Sequence, residues 1–216
     1  MIAVLLSLQK SEPEFYTDTM IKSLCANMFG AGTETTSTTT EWAMALLLNH
    51  PEKLKKAQAE IDAAVGTSSL ITPDDVPRLG YLQSIINETL RLYPAAPLLL
   101  PHESSADLRG GRLRRAPRHD AAGERVRHPP GPRGMGGPGR VQAGAVRGRR
   151  KCPGETFALR TVGLVLGSLI QCFDWDRVDG AAVDMTESGG LTIPMAVPLE
   201  AMCRPRAAMH HVLEEL

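Results

Sequence analysis

The chain has 216 residues, enough for one sizeable core or two small ones, and its 24 basic and 24 acidic side chains leave no formal net charge. Whole-chain electrostatics therefore name no partner, neither nucleic acid nor an acidic surface. The four cysteines, Cys25, Cys152, Cys172 and Cys203, form no C-x-x-C pair and have no His-x-x-x-His nearby, which argues against a zinc site or a disulfide framework.

Taken in chain order, "MIAVLLSLQK" is a short apolar run with no basic flank and no cleavage site, too short to span a bilayer or direct secretion. The apolar stretches at Trp42–Leu48 and Val162–Ile170 are also shorter than a bilayer, so the chain as given reads as soluble or peripheral. No proline interrupts the sequence from about Phe15 to Leu48, which predicts one helix of about 45–50 Å. Asn49-His50-Pro51 ends it and starts another, "PEKLKKAQAEIDAAVG", with Gly66 as its stop. "TPDDVPRLG" is a turn-rich connector, and "YLQSIINETLRLYP" is a third helix closed by Pro94. Ser104–Arg150 then holds 12 Arg, 10 Gly, no Lys and no aromatic residue. Such a segment has too little apolar surface to offset its ordering entropy, so Leu108–Arg147 is expected to be irregular. "TFALRTVGLVLGSLIQCF" is almost wholly apolar and predicts a buried helix, and "GGLTIPMAVPLEAMCRP" predicts a short β-hairpin with an edge strand.

Three places carry the chemistry. "AGTETT", Ala31–Thr36, sets three threonines and a glutamate into the long helix, where Thr hydroxyls can bond back to the i−4 carbonyl and bend it. Taken alone, it is more often a polar face of an amphipathic helix. Glu88 and Arg91 in "NETLR" share a face at i,i+3 with Ile85 and Leu92 beside them. Taken alone, such a pair is usually solvated and of little value. Cys152 follows Arg149, Arg150 and Lys151 and precedes Pro153-Gly154 and an apolar helix. Adjacent cations and a helix N-terminus both favour a thiolate, whereas the commonest fate of a free cysteine is plain burial.

In this order and separation the three resemble the cytochrome P450 family, over Met1–Glu103 and Gly148–Leu216. "AGTETT" resembles the oxygen-activation motif, "ETLR" the E-x-x-R motif, and "GRRKCPG" the second part of the haem-cysteine loop F-x-x-G-x-R-x-C-x-G. "SLQKSEPEFYTD", "GLVLGSLIQCFDW" and "VDMTESGGLTIP" are similar to plant microsomal members of the isoflavone 2′-hydroxylase type. The resemblance implies a mainly α fold: the C-terminal part of a P450, with long central helix, E-x-x-R helix, cysteine loop, buried helix and short β-hairpin. It implies three regions: 1–103, the out-of-frame 104–147, and 148–216. It also implies haem b, electrons from NADPH through NADPH-cytochrome P450 reductase, O2, a small hydrophobic organic substrate, and no nucleic acid. By family the place is the cytosolic face of the endoplasmic reticulum membrane, with the anchor and about half of a usual member missing upstream.

Residue by residue, the resemblance makes Cys152 the axial thiolate and the metal ligand. Glu34 and Thr35 become the acid–alcohol pair that relays protons during oxygen activation, and Glu88 and Arg91 a structural pair bracing the haem-side core. Arg150 and His102 would meet the haem propionates, with Ala31 and Gly32 against the cofactor. Phe29 and Gly30 above the haem, with Ala96, Leu98, Leu99 and the Gly190–Thr192 turn containing Leu191, would line the substrate pocket.

The chain departs from the pattern in one region. Ala145 stands where the cysteine loop has Phe, and the Arg/Gly segment replaces an aromatic- and acid-rich meander ending in P-E-R-F. An RGG-like tail binding RNA through its charge is the ordinary reading of such a segment. Yet "RHPPGPRGMGGPGRVQAGAV", Arg127–Val146, can be coded so that one base later it reads ATRRDPGAWEDPAEFRPERF. Synonymous codons were chosen for that match, but Met135-Gly136 must be ATG-GGN, which forces a tryptophan in the shifted frame. The expectation is a frame change near Asp107 and a return, with residues lost, before Gly148. The function expected is a haem-thiolate monooxygenase, inactive as this chain. The alternatives are a non-enzymatic fragment and an Arg/Gly-rich RNA-binding protein.

Overall fold

The computed structural model describes residues 1–97 and 152–215 and, between them, the backbone of four short strands. Helix α1 (Ile2–Ser11) leaves Ile2, Val4 and Leu6 exposed. Helix α2 (Asp18–Asn49) runs unbroken for 32 residues. The Met20 N–H donates to Thr17 Oγ1 at its start, and the turn at His50 leads straight into Pro51. Helix α3 (Pro51–Ala64) ends before Gly66, whose φ of 84° suits a residue without Cβ. A single 3-10 turn, Val76–Arg78, then leads to α4 (Gly80–Leu92). The start of α4 has no side-chain cap of its own. Glu60 of α3 supplies one, accepting the N–H groups of Tyr81 at 2.7 Å and Leu82 at 2.9 Å.

The strands β1 (His102–Glu103), β2 (Leu108–Gly110), β3 (Leu113–Arg115) and β4 (Asp120–Ala121) form two antiparallel ladders, β1 with β4 and β2 with β3. The expectation of irregular chain from Leu108 is corrected at these positions. A ladder needs backbone groups rather than apolar side chains, and Gly110 pairs with Leu113 across a two-residue connection beginning with Gly111. The remainder of Leu108–Arg147 lies outside the described residues.

Helix α5 (Glu155–Cys172) crosses α2, α3 and α4. Their shared core includes Leu47, Ile61, Leu82, Ile86, Leu166 and Ile170, each at most 1% exposed. Each such side chain contributes about 1.5–3 kcal/mol by leaving water. Two glycines let α5 come close: a Cβ on Gly163 would stand 2.5 Å from Val76 Cγ1, and one on Gly167 2.7 Å from Ile71 Cδ1. The expectation that α5 is buried all round is corrected, because Phe157 is 78% and Val165 41% exposed. Both line a groove that no element covers among the described residues.

Strand β5 (Phe173–Arg177) pairs antiparallel with β6 (Ala201–Pro205), with Trp175 opposite Cys203, and α6 (His210–Glu214) follows. The predicted C-terminal hairpin is thus rearranged. Its Ala201–Pro205 end pairs with β5, Met195 bridges back to Glu187, and Pro194 and Pro198 supply no N–H to a ladder between them. All four cysteines are free, and no helix among the described residues is long and apolar enough to cross a membrane.

Candidate functional site

Four threonine hydroxyls in the polar run of α2 bond within the helix. The hydroxyls of Thr33, Thr35, Thr39 and Thr40 donate to the carbonyls of Phe29 (2.8 Å), Ala31 (2.7 Å), Thr35 (2.8 Å) and Thr36 (3.0 Å). Back-bonding occurs, but α2 stays helical throughout. Beside this run Phe29 is 77% exposed, Ala31 is exposed, and Gly30 and Gly32 have open space where a Cβ would point. Glu34 is exposed, and its Oε1 accepts the hydroxyl of Thr192 from the C-terminal segment.

Other bonds hold that segment in place. The N–H of Ile193 donates to the Ala95 carbonyl at 3.2 Å, which sets half-buried Ala96 near Leu191–Thr192. Trp42 stacks on Tyr93 with ring centroids 4.0 Å apart and donates through Nε1 to the Ile193 carbonyl at 3.0 Å. The structure therefore gathers Glu34, Ala96 and Leu191 from three distant parts of the sequence. Leu98 and Leu99 lie outside the described residues, as does Arg150, and His102 is described by its backbone alone.

Cys152 is a free, exposed thiol at the turn that opens α5. Its carbonyl accepts the Glu155 N–H at 3.2 Å, and its Sγ lies 3.8 Å from where a Cβ on Gly154 would stand. The first turns of α5 face α2 across a groove of about 860 Å3. Gly32, Thr36 and Met44 line it from one side and Phe157, Thr161 and Val165 from the other. Its size is that of a cofactor or small-molecule cleft, about 300–1,000 Å3. Gly32, Thr33 and Thr36 of the Ala31–Thr36 motif are part of its lining, whereas Glu34, Thr35 and Cys152 are not. Sequence reading missed Phe157, Thr161 and Val165, whose i,i+4 spacing on α5 is the signal that could have found them.

Glu88 and Arg91 form a two-pronged pair, Arg91 Nε to Glu88 Oε2 at 2.7 Å and Nη2 to Oε1 at 2.6 Å. Arg91 is 33% and Glu88 30% exposed. Hydrogen bonds from Arg91 hold the Glu88 carboxyl below its ordinary range against the opposing effect of burial, and the same bonds raise Arg91. A planar, thiolate-bound cofactor needs a free thiol and an unencumbered helix face. Cys152 supplies the first and Gly30 and Gly32 the second.

Comparison with known proteins gives this constellation a relationship. A family model described as Cytochrome P450 matches residues 1–110. Cytochrome P450 81Q32 of Catharanthus roseus is 46% identical over 230 residues, covering 100% of this chain and 46% of the relative. An isoflavone 2′-hydroxylase of Medicago truncatula is 40% identical, covering 99% of this chain and 46% of its own length. A zebra fish cytochrome P450 structure with progesterone superimposes with a TM-score of 0.75 at 28% identity, over 88% of this chain and 46% of that one. The chain spans about half the length of the curated relatives it matches, 46% in the first two cases. Half the chain matches the family model, so the chain belongs to the cytochrome P450 family.

Proposed function

We propose that this sequence carries the thiolate-ligand and proton-relay portion of a haem-thiolate monooxygenase, and that the chain as written does not itself perform the reaction. The observation that carries this reading is the free Cys152 thiol at the turn that opens α5, a helix packed on an α2 whose Gly30 and Gly32 have open space around them. When bound, haem b would activate O2, placing one oxygen atom in a substrate C–H bond and releasing the other as water, with two electrons from NADPH through a reductase. Cys152 would hold the iron through its thiolate, with the N-terminus of α5 offsetting the negative charge. The small residues Ala31 and Gly32 would leave room for a flat group. Glu34 would hold and pass the proton, and Thr35 would orient it. Arg150 and His102 would bind the two carboxylates of the cofactor. Glu88 and Arg91 would brace the core next to it. Phe29, Gly30, Ala96, Leu98, Leu99 and Leu191 would exclude water from a small apolar substrate. The isoflavone hydroxylases among the relatives make an isoflavone one candidate substrate class, and the (+)-piperitol/(+)-sesamin synthase among them names another. The endoplasmic reticulum membrane is the expected location of the whole enzyme.

The inactivity of the chain follows from the segment before Cys152. Ala145 takes the place of the loop's Phe, and the meander that would shield the sulfur is absent. Two findings support a frame change there. The family match stops at residue 110, close to Asp107. The alignment with the Catharanthus relative runs over 230 positions against 216 residues here, so at least 14 positions of the relative stand opposite gaps in this chain, as residues lost on a return to frame would require. Reconstituting the purified chain with haem, reducing it and adding carbon monoxide should give no stable red-shifted thiolate–carbonyl band. A full-length, frame-corrected version should show the band and lose it in Cys152→Ala. A stable, Cys152-dependent band from the chain as written would show that the segment does no damage. Absence of the band from the corrected protein would remove the haem-thiolate reading.

A further inference from the structure

The segment between β5 and β6 has little ladder of its own, and side chains of α2 satisfy it instead. Asn49 brackets Val183, accepting its N–H at 2.9 Å and donating to its carbonyl at 3.0 Å. Trp42 donates to the Ile193 carbonyl at 3.0 Å, and Glu41 accepts the Leu199 N–H at 3.0 Å. Glu34 completes the row by accepting the Thr192 hydroxyl. Positions 34, 41, 42 and 49 recur every seven or eight residues and so form one stripe along the helix. The other three anchors serve backbone groups. At Glu34 alone the partner is a side-chain hydroxyl, and the acceptor is the carboxylate assigned to proton relay. The neighbouring Thr35 hydroxyl is engaged elsewhere, with the Ala31 carbonyl at 2.7 Å.

The tip that carries Thr192 is held just behind by Ile193, whose N–H donates to the Ala95 carbonyl and whose carbonyl accepts Trp42 Nε1. It contains Gly189 and Gly190, the latter at φ 151°, and Leu191 is 53% exposed. Ahead of Ile193, the Thr192–Glu34 bond ties the tip to the polar stretch of α2.

We propose that Thr192 is a positioning residue for Glu34. Its hydroxyl holds the carboxylate against the C-terminal tip, so loss of this bond releases Glu34 toward the proton-relay face of α2. The proposal rests on reading Glu34 as the proton carrier. Its test does not need haem. The full chain is labelled with carbon-13 at the glutamate carboxyl carbons, and the Glu34 signal is assigned by its loss in Glu34→Gln. Thr192→Val is close to isosteric and removes only the donor; Thr192→Ser keeps it. Thr192→Val should move the Glu34 carboxyl resonance and speed exchange of the Leu191–Ile193 amides about fivefold, as expected for one lost side-chain hydrogen bond. Thr192→Ser should restore both. An unmoved Glu34 resonance in Thr192→Val overturns the proposal even if exchange accelerates, because the hydroxyl would then only pack. Failure of Thr192→Ser to restore the resonance overturns it as well. Failure of the monooxygenase reading would appear separately, as a missing carbonyl band in the frame-corrected protein with the Glu34 response intact.

Discussion

Gln171 sits wholly buried near the end of α5, where Nε2 donates to the carbonyls of Gly66 (3.1 Å) and Ser69 (3.0 Å) and Oε1 accepts the Ile71 N–H (2.9 Å). Replacing it with leucine keeps the volume and strands three backbone groups. The expected loss is on the order of 3 kcal/mol, read as a lower denaturant midpoint at unchanged slope. The sequence shows only a glutamine in an apolar run, and nothing local says that a connector 100 residues away needs its amide. Glu88 and Arg91 were legible, because i,i+3 spacing on a helix forces proximity. Their effect on pH dependence has a definite sign. The folded Glu88 carboxyl lies below its ordinary value of 4.5, so the folded state holds this proton less tightly than the unfolded one. The stability gained is fully present above about pH 4.5 and is lost as pH falls through the lower folded value. With both side chains about a third exposed, Glu88→Gln should cost no more than about 1 kcal/mol at neutral pH and flatten the acid limb of a stability–pH curve.

Among the elements, α2 was readable because a long stretch without proline has no reason to stop, and the proline at 51 marks its end. The apolar composition of α5 predicted its burial but not which side stays open, since composition carries no direction. Its glycines carry that information. The Gly163 face meets Val76, which is 1% exposed and branched at Cβ, so it cannot easily turn aside. Gly163→Ala gains about 1 kcal/mol of helix propensity but overpacks by about 1–3 kcal/mol, a net loss. In a Val76→Ala background the same substitution should become neutral or stabilising. A double-mutant cycle by chemical denaturation measures that reversal. The C-terminal segment was misread for the opposite reason. Its hairpin pattern was visible, but its prolines and the side chains of α2 divert its hydrogen bonds.

For the whole molecule, the order of "AGTETT", "ETLR" and "KCPG" was enough to read the family, because each motif fixes a local chemistry and their separation fixes a topology. The groove between α2 and α5 was not legible, since it depends on what lies across from Phe157 and Val165. The exposed side chains predict a measurable property. The native chain should bind a hydrophobic dye and self-associate as concentration rises. Phe157→Ser with Val165→Thr should weaken both while changing stability by only about 0.5 kcal/mol per site, as surface substitutions do.

That groove also bears on the lifetime of the polypeptide in a cell. Chaperones and proteases sort molecules by the apolar surface they display. A folded chain with Phe157 at 78% and Phe29 at 77% exposure offers them in its native state what most proteins offer only when unfolded. Its abundance should therefore follow turnover rather than synthesis, and refolding it correctly would not spare it.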